Sequence, residues 1–473
     1  MTPTHSAAIA YSGDPVPQAL VARTYAMVDL FAGCGGLSLG FENAGFTSVF
    51  VNELNEDAIR TYLKNRHYSL GGMNFAENPD LHCNDAQELQ GKRLDQLQAD
   101  LASLPELGFA LDRTVSKKAG GGSNLDIITG GPPCQGFSGI GHRRSYSVDK
   151  KNLPSNHLYG RMAEIIRALR PRTFLFENVR GLLNSRWERD GSDFIWPDVL
   201  AEFRRIEGYE VRWKLVHARD YGVPQNRPRV LMVGVRKDVL ASTKRLNPAA
   251  HPEDAVLCGF LPAPAPNEYP HLEELLSDLV DPTIPDILRA QSFASGPFET
   301  TRYPRAPQTS IQKQLRTPPR HWPEGKRVLL TDQEYSKHKA NIVEKFDAML
   351  ASGGEIPAEH QTRKFSQRLL RRQWGNQGPT ITATTLPDDY VHYSQPRILT
   401  VREWARLQLF PDWYQFTGKR TTGGLRRAGN PQEGLFDREA PKYTQIGNAV
   451  PVGLAERVAR HLRGILEDAL GKG

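Results

Sequence analysis

The chain has 473 residues, of which 39% are hydrophobic and 24% charged; this is the composition of a globular protein with room for two to four domains. Its 60 Lys and Arg against 53 Asp and Glu give a net charge of +7, which permits a polyanionic partner without requiring one. The four cysteines, Cys34, Cys83, Cys134 and Cys258, form no Cys-x-x-Cys pair, so the sequence predicts neither a zinc site nor a disulfide framework and favours a reducing compartment.

Residues 1–25 are rich in Ala, Pro and Ser, and we expect them to form a flexible leader. They lack the basic start and long apolar core of a signal peptide. No apolar run approaches the roughly 20 residues that span a bilayer. We therefore expect a soluble, cytoplasmic protein without a membrane partner.

The first predicted elements are a buried strand at 27–31, the glycine-rich turn 32–36 and a helix that begins near Leu37. Such a turn between a strand and a helix lets backbone N–H groups approach a ligand closely. The pattern is typical of a nucleotide site in an α/β fold.

A second strand, 48–52, ends at Glu53, about 20 residues after the first glycine of the turn. In doubly wound folds an acidic side chain at this point meets ribose hydroxyls. We favour a nucleoside-bearing cofactor over the alternative, a capping turn followed by a solvated glutamate. The spacing Gly33-x-Gly35-Gly36 departs from the dinucleotide fingerprint, which makes an NAD-linked dehydrogenase the weaker interpretation.

Residues 125–129 form a short apolar strand that runs into the sequence GGPPC, which ends at Cys134. Two glycines and two prolines stop the strand and form a rigid turn. A thiol held there is well placed to act as a nucleophile and poorly placed to be an inert core cysteine. The basic, glycine-containing loop 136–156 either closes over an anionic substrate or is merely a solvated loop.

A predicted helix at 157–169 is followed by the strand 173–176, which carries Glu177 at its C-terminal end. Parallel α/β sheets bind ligands at such strand ends, so we expect Glu177 to lie on one rim with Cys134 and Gly33.

Two arginines, Arg227 and Arg229, alternate at the start of a further buried strand, 230–235. Their guanidinium groups suit an anion or a carbonyl. Near the C-terminus, Thr400-Val401-Arg402-Glu403 is a capping box that opens a helix through Leu409.

Apolar residues at helical spacing from 454 to 466 predict a C-terminal helix that packs on the first domain beside the glycine-rich turn. We assign no function to the insertion 417–442.

Seven sequence blocks resemble those of the DNA (cytosine-5) methyltransferases and stand in that family's order. The blocks are DLFAGCGGLSLGFENAGF, VNELNEDA, GGPPCQGFS, ENV, QNRPRV, RILTVREWARLQLFPDWY and QIGNAVP. They cover roughly 26–236 and 378–473. The resemblance implies an α/β fold with a doubly wound, mostly parallel sheet (class I methyltransferase, Rossmann-like) and a smaller, irregular target-recognition domain.

The expected organisation has four parts. They are a flexible leader at 1–25, a catalytic and cofactor-binding domain at 26–236, a target-recognition domain at 237–377, and a motif-bearing segment at 378–473 that returns to the catalytic domain.

The resemblance implies S-adenosylmethionine as the cofactor, and from the cysteine spacing we expect no metal. The implied cofactor-binding residues are Phe31, Gly33, Gly35, Gly36, Glu53, Asp85, Pro133, Asn448 and Val450. Glu53 would take the ribose hydroxyls and Asp85 the adenine amino group, while Asn448 and Val450 would close the site from the C-terminal end. Leu54 departs from the family's pattern, which often has an aromatic residue there, so plain apolar contact would replace stacking on the adenine.

The implied reaction methylates carbon 5 of cytosine. The Cys134 thiolate would add to carbon 6, which makes carbon 5 enamine-like and able to take the methyl group. Glu177, protonated or sharing a proton with ring nitrogen 3, would stabilise the charge that builds on the ring, which requires a raised pKa in a desolvated pocket. Arg229 would contact the cytosine carbonyl, and Arg227 would support the pocket or the backbone.

A cytosine inside a duplex hides both faces of its ring and has to be flipped out. The implied DNA-binding residues, in the loop expected to close around the DNA, are Gln135, Ser138, Arg143 and Arg144. Two basic runs, within 302–327 and 361–372, favour a nucleic-acid surface in the middle of the chain over a merely solvated face.

The expected partner is double-stranded DNA, bound by a monomer associated with the nucleoid. Two alternatives stay open: a tRNA cytosine-5 methyltransferase and a catalytically silent DNA-binding regulator. The long basic middle region argues for DNA, and the intact set of Pro133-Cys134, Glu177 and Gln225 to Arg229 argues against a silent regulator. A cognate restriction endonuclease acting separately and an enzyme acting alone are equally compatible with the sequence.

Overall fold

The computed structural model describes residues 25–104, 122–133, 154–188, 191–319, 322, 327–361, 366–373, 379–382, 387–421 and 439–471. The strands are β1 (Tyr25–Leu30), β2 (Phe46–Asn52), β3 (Ser69–Leu70), β4 (Met73–Asn74), β5 (His82–Cys83), β6 (Ile127–Gly130), β7 (Thr173–Val179), β8 (Tyr209–His217), β9 (Pro228–Arg236), β10 (Arg368–Leu369) and β11 (Tyr390–Val391).

The α-helices are α1 (Gly36–Asn43), α2 (Glu56–Lys64), α3 (Gly91–Ser103), α4 (Leu158–Leu169), α5 (Ile195–Arg204), α6 (Lys237–Ala241), α7 (Leu272–Leu276), α8 (Ile284–Arg289), α9 (Ser310–Arg316), α10 (Ala340–Ser352), α11 (Val401–Arg406), α12 (Lys442–Asn448) and α13 (Val452–Ala469). Among these described helices, none is long and apolar enough to cross a membrane.

Within the described residues, seven strands form the main sheet, in the order β5–β2–β1–β6–β7–β9–β8. Strands β5, β2, β1, β6 and β7 run parallel, whereas β9 is antiparallel to β7 and β8 is antiparallel to β9. The predicted α/β fold with a doubly wound, mostly parallel sheet is confirmed.

Both faces of the main sheet are covered by helices. Successive side chains of a strand point to opposite faces, so neighbouring residues of one strand pack in different cores. On β1, Val28 and Leu30 pack in the core that contains α3, α4 and α5, whereas Met27 packs in the core that contains α1 and α13. Helix α13 lies close against α1, since a Cβ at Gly40 would stand 2.4 Å from the Cβ of Ala455. The predicted C-terminal helix therefore packs on the first domain, next to the glycine-rich turn.

Apart from the two cores on the faces of the main sheet, a separate core lies beside the sheet, and we call it the second core. It is built from residues between 272 and 416 and between 443 and 452. Two residues of the glycine-rich turn and α1, Cys34 and Leu39, also belong to it. The polar centre of this second core is Arg406, whose guanidinium pairs with Asp278 at 2.5 Å and with Asp412 at 2.6 Å. Buried charges persist only when they are paired in this way.

Several local expectations differ from the structure by a few residues. The capping box is present, with the Thr400 side chain accepting from the Glu403 N–H at 3.2 Å, but the helix ends at Arg406. Leu409 has a φ of +61°, a left-handed conformation that a helix does not contain. Strand β1 likewise ends one residue early, because Phe31 has a φ of +55°.

Candidate active site

The ends of four strands meet on one rim of the main sheet. Strands β1, β6 and β7 are parallel neighbours, and Leu30 at the end of β1 stands opposite Gly130 at the end of β6. Strand β9 runs the other way and begins on this rim, where Arg229 stands opposite Val179. The rim therefore collects the glycine-rich turn, the start of the GGPPC turn, Glu177 and the two arginines.

Glu177 and Arg229 form a buried ion pair on this rim. The Glu177 Oε1 atom lies 2.6 Å from Arg229 Nε, and the two residues are only 9% and 7% exposed. Burial lowers the pKa of Arg229, and the neighbouring Glu177 carboxylate opposes that shift. The Arg229 Nη1 group also donates to the Pro228 carbonyl at 2.8 Å, so the guanidinium is held from two directions.

Arg227 is a second buried guanidinium, 1% exposed. Its Nη2 donates to the carbonyls of Gly447 at 2.7 Å and Ala449 at 3.0 Å, which ties β9 to the QIGNAVP block. Among the described residues, its Nε and Nη1 have no hydrogen-bond partner. Burial lowers the pKa of Arg227 well below its usual value, and the nearby Arg229 adds to this effect. One carboxylate, Glu177, thus faces two buried cations.

The turn that leads to Cys134 starts against Glu177 and its neighbour. A Cβ at Gly131 would stand 2.8 Å from Glu177 Oε2, and the Asn178 side chain donates to the Pro132 carbonyl at 3.0 Å. The first half of the GGPPC sequence is therefore anchored on the C-terminal end of β7. Pro133 is the last described residue of this turn, and the predicted site residues Cys134, Gln135, Ser138, Arg143 and Arg144 lie outside the described residues.

The Glu53 carboxylate holds the glycine-rich turn. Its Oε2 accepts from the Gly33 N–H at 2.8 Å and its Oε1 from the Asn55 N–H at 2.8 Å. Burial raises the pKa of Glu53, and these two N–H donors oppose the shift. A carboxylate has about four acceptor positions, so Glu53 keeps capacity for further donors. A Cβ at Gly33 would meet nothing within 4 Å, which leaves open space on this side of the turn.

Strand β5 brings Asp85 to the same edge, because the Glu53 N–H donates to the Cys83 carbonyl at 3.2 Å. The Asp85 Oδ1 atom caps a short 3-10 turn by accepting from the Gln87 N–H at 2.9 Å. Leu54, which directly follows Glu53 in the chain, is 70% exposed. A large apolar side chain in water is a suitable contact for a flat, partly apolar group.

The QIGNAVP block closes on the other side of the glycine-rich turn. A Cβ at Gly36 would stand 2.4 Å from the Val450 carbonyl oxygen, so only glycine allows this approach. Val450 is 8% exposed, whereas Asn448, at the end of α12, is exposed. The structure thus brings Val450 next to the turn, and its role in closing a cofactor site stays a prediction.

Gln225 and Gln408 join this site to the second core, a contact that the sequence did not predict. The Gln225 Nε2 donates to Gln408 Oε1 at 2.9 Å, and its Oε1 accepts from the Ile381 N–H at 3.2 Å. Gln408 in turn donates to the Ile446 carbonyl. The available signal for Gln225 was the block QNRPRV, in which the sequence indicates individual roles for the arginines alone.

The predicted basic surface lies partly on exposed side chains, and its binding of nucleic acid stays a prediction. Arg305, Lys313 and Arg327 are exposed, whereas Arg316 pairs with Asp278 and stacks 3.5 Å above the ring centre of Tyr303. Arg316 therefore stabilises the second core. Within the described ranges, no group of three or more His, Cys, Asp or Glu side chains is arranged to hold a metal ion.

Comparisons with known proteins identify the family of the chain. The family model for C-5 cytosine-specific DNA methylases matches residues 25–102 and 112–464. The chain is 30% identical over 455 residues to the Type II methyltransferase M.DdeI of Desulfomicrobium norvegicum, with 93% of this chain and 89% of the relative covered. It is 26% identical over 437 residues to the Type II methyltransferase M1.HphI of Haemophilus parahaemolyticus, covering 91% and 85% of the two chains.

A solved structure described as a prophage-encoded DNA modification methyltransferase of E. coli aligns with a TM-score of 0.57 and 21% identity, covering 94% of this chain and 100% of that one. At this identity the likeness concerns the fold alone. The family match spans most of the sequence, and the ordered blocks predicted the same family. The chain therefore belongs to the C-5 cytosine-specific DNA methylase family and is a DNA (cytosine-5) methyltransferase.

Proposed function

We propose that this enzyme transfers the methyl group of S-adenosylmethionine to carbon 5 of a flipped-out cytosine in a specific duplex DNA sequence, through a covalent Cys134 adduct at carbon 6. Methylation of DNA cytosine follows from the family. The observation that carries the finer proposal is the rim of the main sheet, where the Glu177–Arg229 pair, the turn before Cys134 and the Glu53-held glycine turn share one edge.

The residues at the end of β2 fit S-adenosylmethionine. Glu53 has acceptor capacity for ribose hydroxyls, Asp85 for an amino group, and Leu54 offers an exposed apolar surface to a purine. Phe31, Gly35, Gly36, Pro133, Asn448 and Val450 complete the proposed set. When bound, the cofactor supplies an electrophilic methyl group.

The cysteine makes the cytosine reactive. Carbon 5 of an aromatic pyrimidine is a weak nucleophile, and addition of the Cys134 thiolate to carbon 6 breaks that aromaticity. The electron pair of the former double bond then becomes available at carbon 5. After methylation, loss of the carbon-5 proton to a base and departure of the thiolate restore the ring, so the enzyme is regenerated.

The ion pair on the rim would manage the charge on the ring. Addition of a thiolate places negative charge on the pyrimidine, and Glu177 holding a proton at nitrogen 3 would neutralise it. Arg229 would donate to the ring carbonyl, and Arg227 would hold β9 against the QIGNAVP block. The desolvated position of this pair strengthens each of these interactions.

The DNA would lie across this rim. A duplex cytosine has to leave the stack before a thiol can reach carbon 6, and Gln135, Ser138, Arg143 and Arg144 would hold the opened DNA. We propose that the region 237–377 recognises the DNA sequence, with its exposed basic residues on phosphates and other side chains on base edges. The catalytic domain 26–236 and the segment 378–473 would form the rest of a monomeric enzyme, following a leader at 1–25.

The covalent step can be trapped with duplex DNA in which 5-fluorocytosine replaces cytosine. Fluorine at carbon 5 leaves no proton to remove, so the adduct persists after methyl transfer. We expect a protein–DNA band that survives denaturation for the wild type with S-adenosylmethionine, and none for Cys134→Ser. The matched control is Cys258→Ser. The buried Cys258 thiol packs in the core that contains α1 and α13, and it donates to the His251 carbonyl at 3.0 Å.

A persistent band with Cys134→Ser would contradict the proposal. So would a wild-type enzyme that methylates tRNA and leaves duplex DNA unmodified.

A further inference from the structure

The glycine-rich turn is open at one glycine and closed at another. A Cβ at Gly33 would meet nothing within 4 Å, whereas a Cβ at Gly35 would stand 2.7 Å from the Tyr414 hydroxyl and 3.1 Å from Arg66 Nη1. Gly35 also has a φ of +85°, which favours glycine. The proposed cofactor therefore has room beside Gly33, while protein side chains pack directly behind Gly35.

Tyr414 reaches the turn from the second core. Its side chain is fully buried, and its hydroxyl donates to the Cys34 carbonyl at 2.5 Å. The N–H of the same peptide unit, that of Gly35, donates to the Ala32 carbonyl at 3.0 Å. Because a peptide unit is planar, these two hydrogen bonds fix the orientation of the Cys34–Gly35 peptide. Burial raises the pKa of Tyr414, so its hydroxyl keeps the proton that it donates.

Arg66 joins Tyr414 to helix α1. Its Nη1 lies 3.4 Å from the Tyr414 hydroxyl, its Nη2 donates to Ser38 Oγ at 2.9 Å, and its Nε pairs with Glu42 at 2.8 Å. Ser38 and Glu42 both belong to α1, which begins directly after the turn. Arg66 therefore holds the turn, α1 and the Tyr414 hydroxyl in one buried hydrogen-bonded group.

Arg402 holds the other end of Tyr414. Its Nη2 donates to the Tyr414 carbonyl at 2.7 Å and its Nη1 to the Pro411 carbonyl at 2.9 Å. Its Nε donates to the carbonyl of Thr331 at 3.1 Å. The tyrosine is thus fixed to the second core at its backbone and to the glycine-rich turn at its hydroxyl.

We propose that Tyr414 is a positioning residue for the cofactor site, which sets cofactor affinity by fixing the Cys34–Gly35 peptide. The inference rests on the proposed S-adenosylmethionine site. It adds a residue that lies 380 positions from its hydrogen-bond partner and that does not itself face the open side of the turn.

The test is Tyr414→Phe, which removes one hydroxyl and keeps the ring that packs against Phe410 and Phe416. Calorimetric titration with S-adenosylhomocysteine measures binding without turnover. We expect the dissociation constant to rise about tenfold, or ~1.4 kcal/mol, because the buried Cys34 carbonyl loses its partner. The KM for S-adenosylmethionine should rise similarly, with kcat within about twofold of the wild type.

The matched control is Tyr443→Phe. Tyr443 is buried in the same core, and its hydroxyl donates to the Leu399 carbonyl at 2.7 Å. This variant should lose a comparable amount of thermal stability and keep its affinity for S-adenosylhomocysteine, which separates positioning from general destabilisation.

Equal affinity in Tyr414→Phe and the wild type would overturn the proposal, and so would an equal loss of affinity in Tyr443→Phe. If Tyr414→Phe does not fold, Arg66→Lys serves instead, since lysine cannot contact Ser38, Glu42 and Tyr414 together. Unchanged affinity of Arg66→Lys for S-adenosylhomocysteine would also overturn the proposal. A wild type that binds no S-adenosylhomocysteine would instead refute the proposed cofactor, and this inference with it.

Discussion

Replacing Glu177 with glutamine tests the electrostatics of the candidate active site. The substitution keeps the size of the side chain and removes the charge that faces Arg229 at 2.6 Å and stabilises the cation of Arg227. Removing one member of a buried ion pair costs about 3–5 kcal/mol, and we expect about 3 kcal/mol because glutamine still accepts a hydrogen bond. With an unfolding entropy of about 2.1 cal/mol/K per residue, this loss lowers the melting temperature by about 3 °C.

Scanning calorimetry measures the melting temperature of Glu177→Gln, with Glu56→Gln as the control variant. Glu56 pairs with Arg60 at 2.7 Å on the surface, and the two side chains are 77% and 64% exposed, so its replacement should leave the melting temperature unchanged. Methyl transfer by Glu177→Gln should fall by at least about 100-fold, since general acid catalysis contributes about that much or more. A Glu177→Gln enzyme with wild-type melting temperature and activity would refute the reasoning.

Two further substitutions test packing and protonation. Gly36→Ala places a Cβ 2.4 Å from the Val450 carbonyl and should destabilise the fold by about 1–3 kcal/mol. The control Gly160→Ala has open space around its Cβ position and should leave the stability unchanged. Equal melting temperatures of the two variants would contradict this expectation. Burial lowers the pKa of His392 to about 3, so the folded state binds fewer protons than the unfolded state below pH 6.5 and loses about 1.4 kcal/mol of stability per pH unit. Relative to His392→Gln, wild-type stability should therefore fall from pH 6.5 to 4.5 in urea titrations, and a pH-independent difference would contradict it.

Strand ends were predictable from the sequence, and they account for most of the candidate site. The apolar run before Glu177 and the one after Arg229 predict two strands, and the rule that parallel sheets bind ligands at their carboxyl ends puts Glu177 near Gly33. The antiparallel direction of β9, which makes Arg229 the partner of Glu177, was not predictable from hydrophobic periodicity. That periodicity reports which face of a strand is buried and carries no strand direction.

Contacts between distant segments were also beyond sequence reasoning. The Tyr414 hydroxyl meets a carbonyl 380 positions away, and Gln225 meets Gln408 across 183 positions. Neither pair has a local pattern, since each depends on how the second core docks against the main sheet. For the same reason the basic run around Arg316 did not reveal that this arginine pairs internally with Asp278.

The central claim is methylation of carbon 5 of cytosine in duplex DNA. The most direct measurement is mass spectrometry of nucleosides from DNA that has been incubated with the enzyme and S-adenosylmethionine carrying an isotopically labelled methyl group. We expect the label in 5-methyl-2′-deoxycytidine, and none when the Cys134→Ser variant is used. Label in N4-methyl-2′-deoxycytidine or in an adenine nucleoside, or no label in DNA at all, would contradict the account.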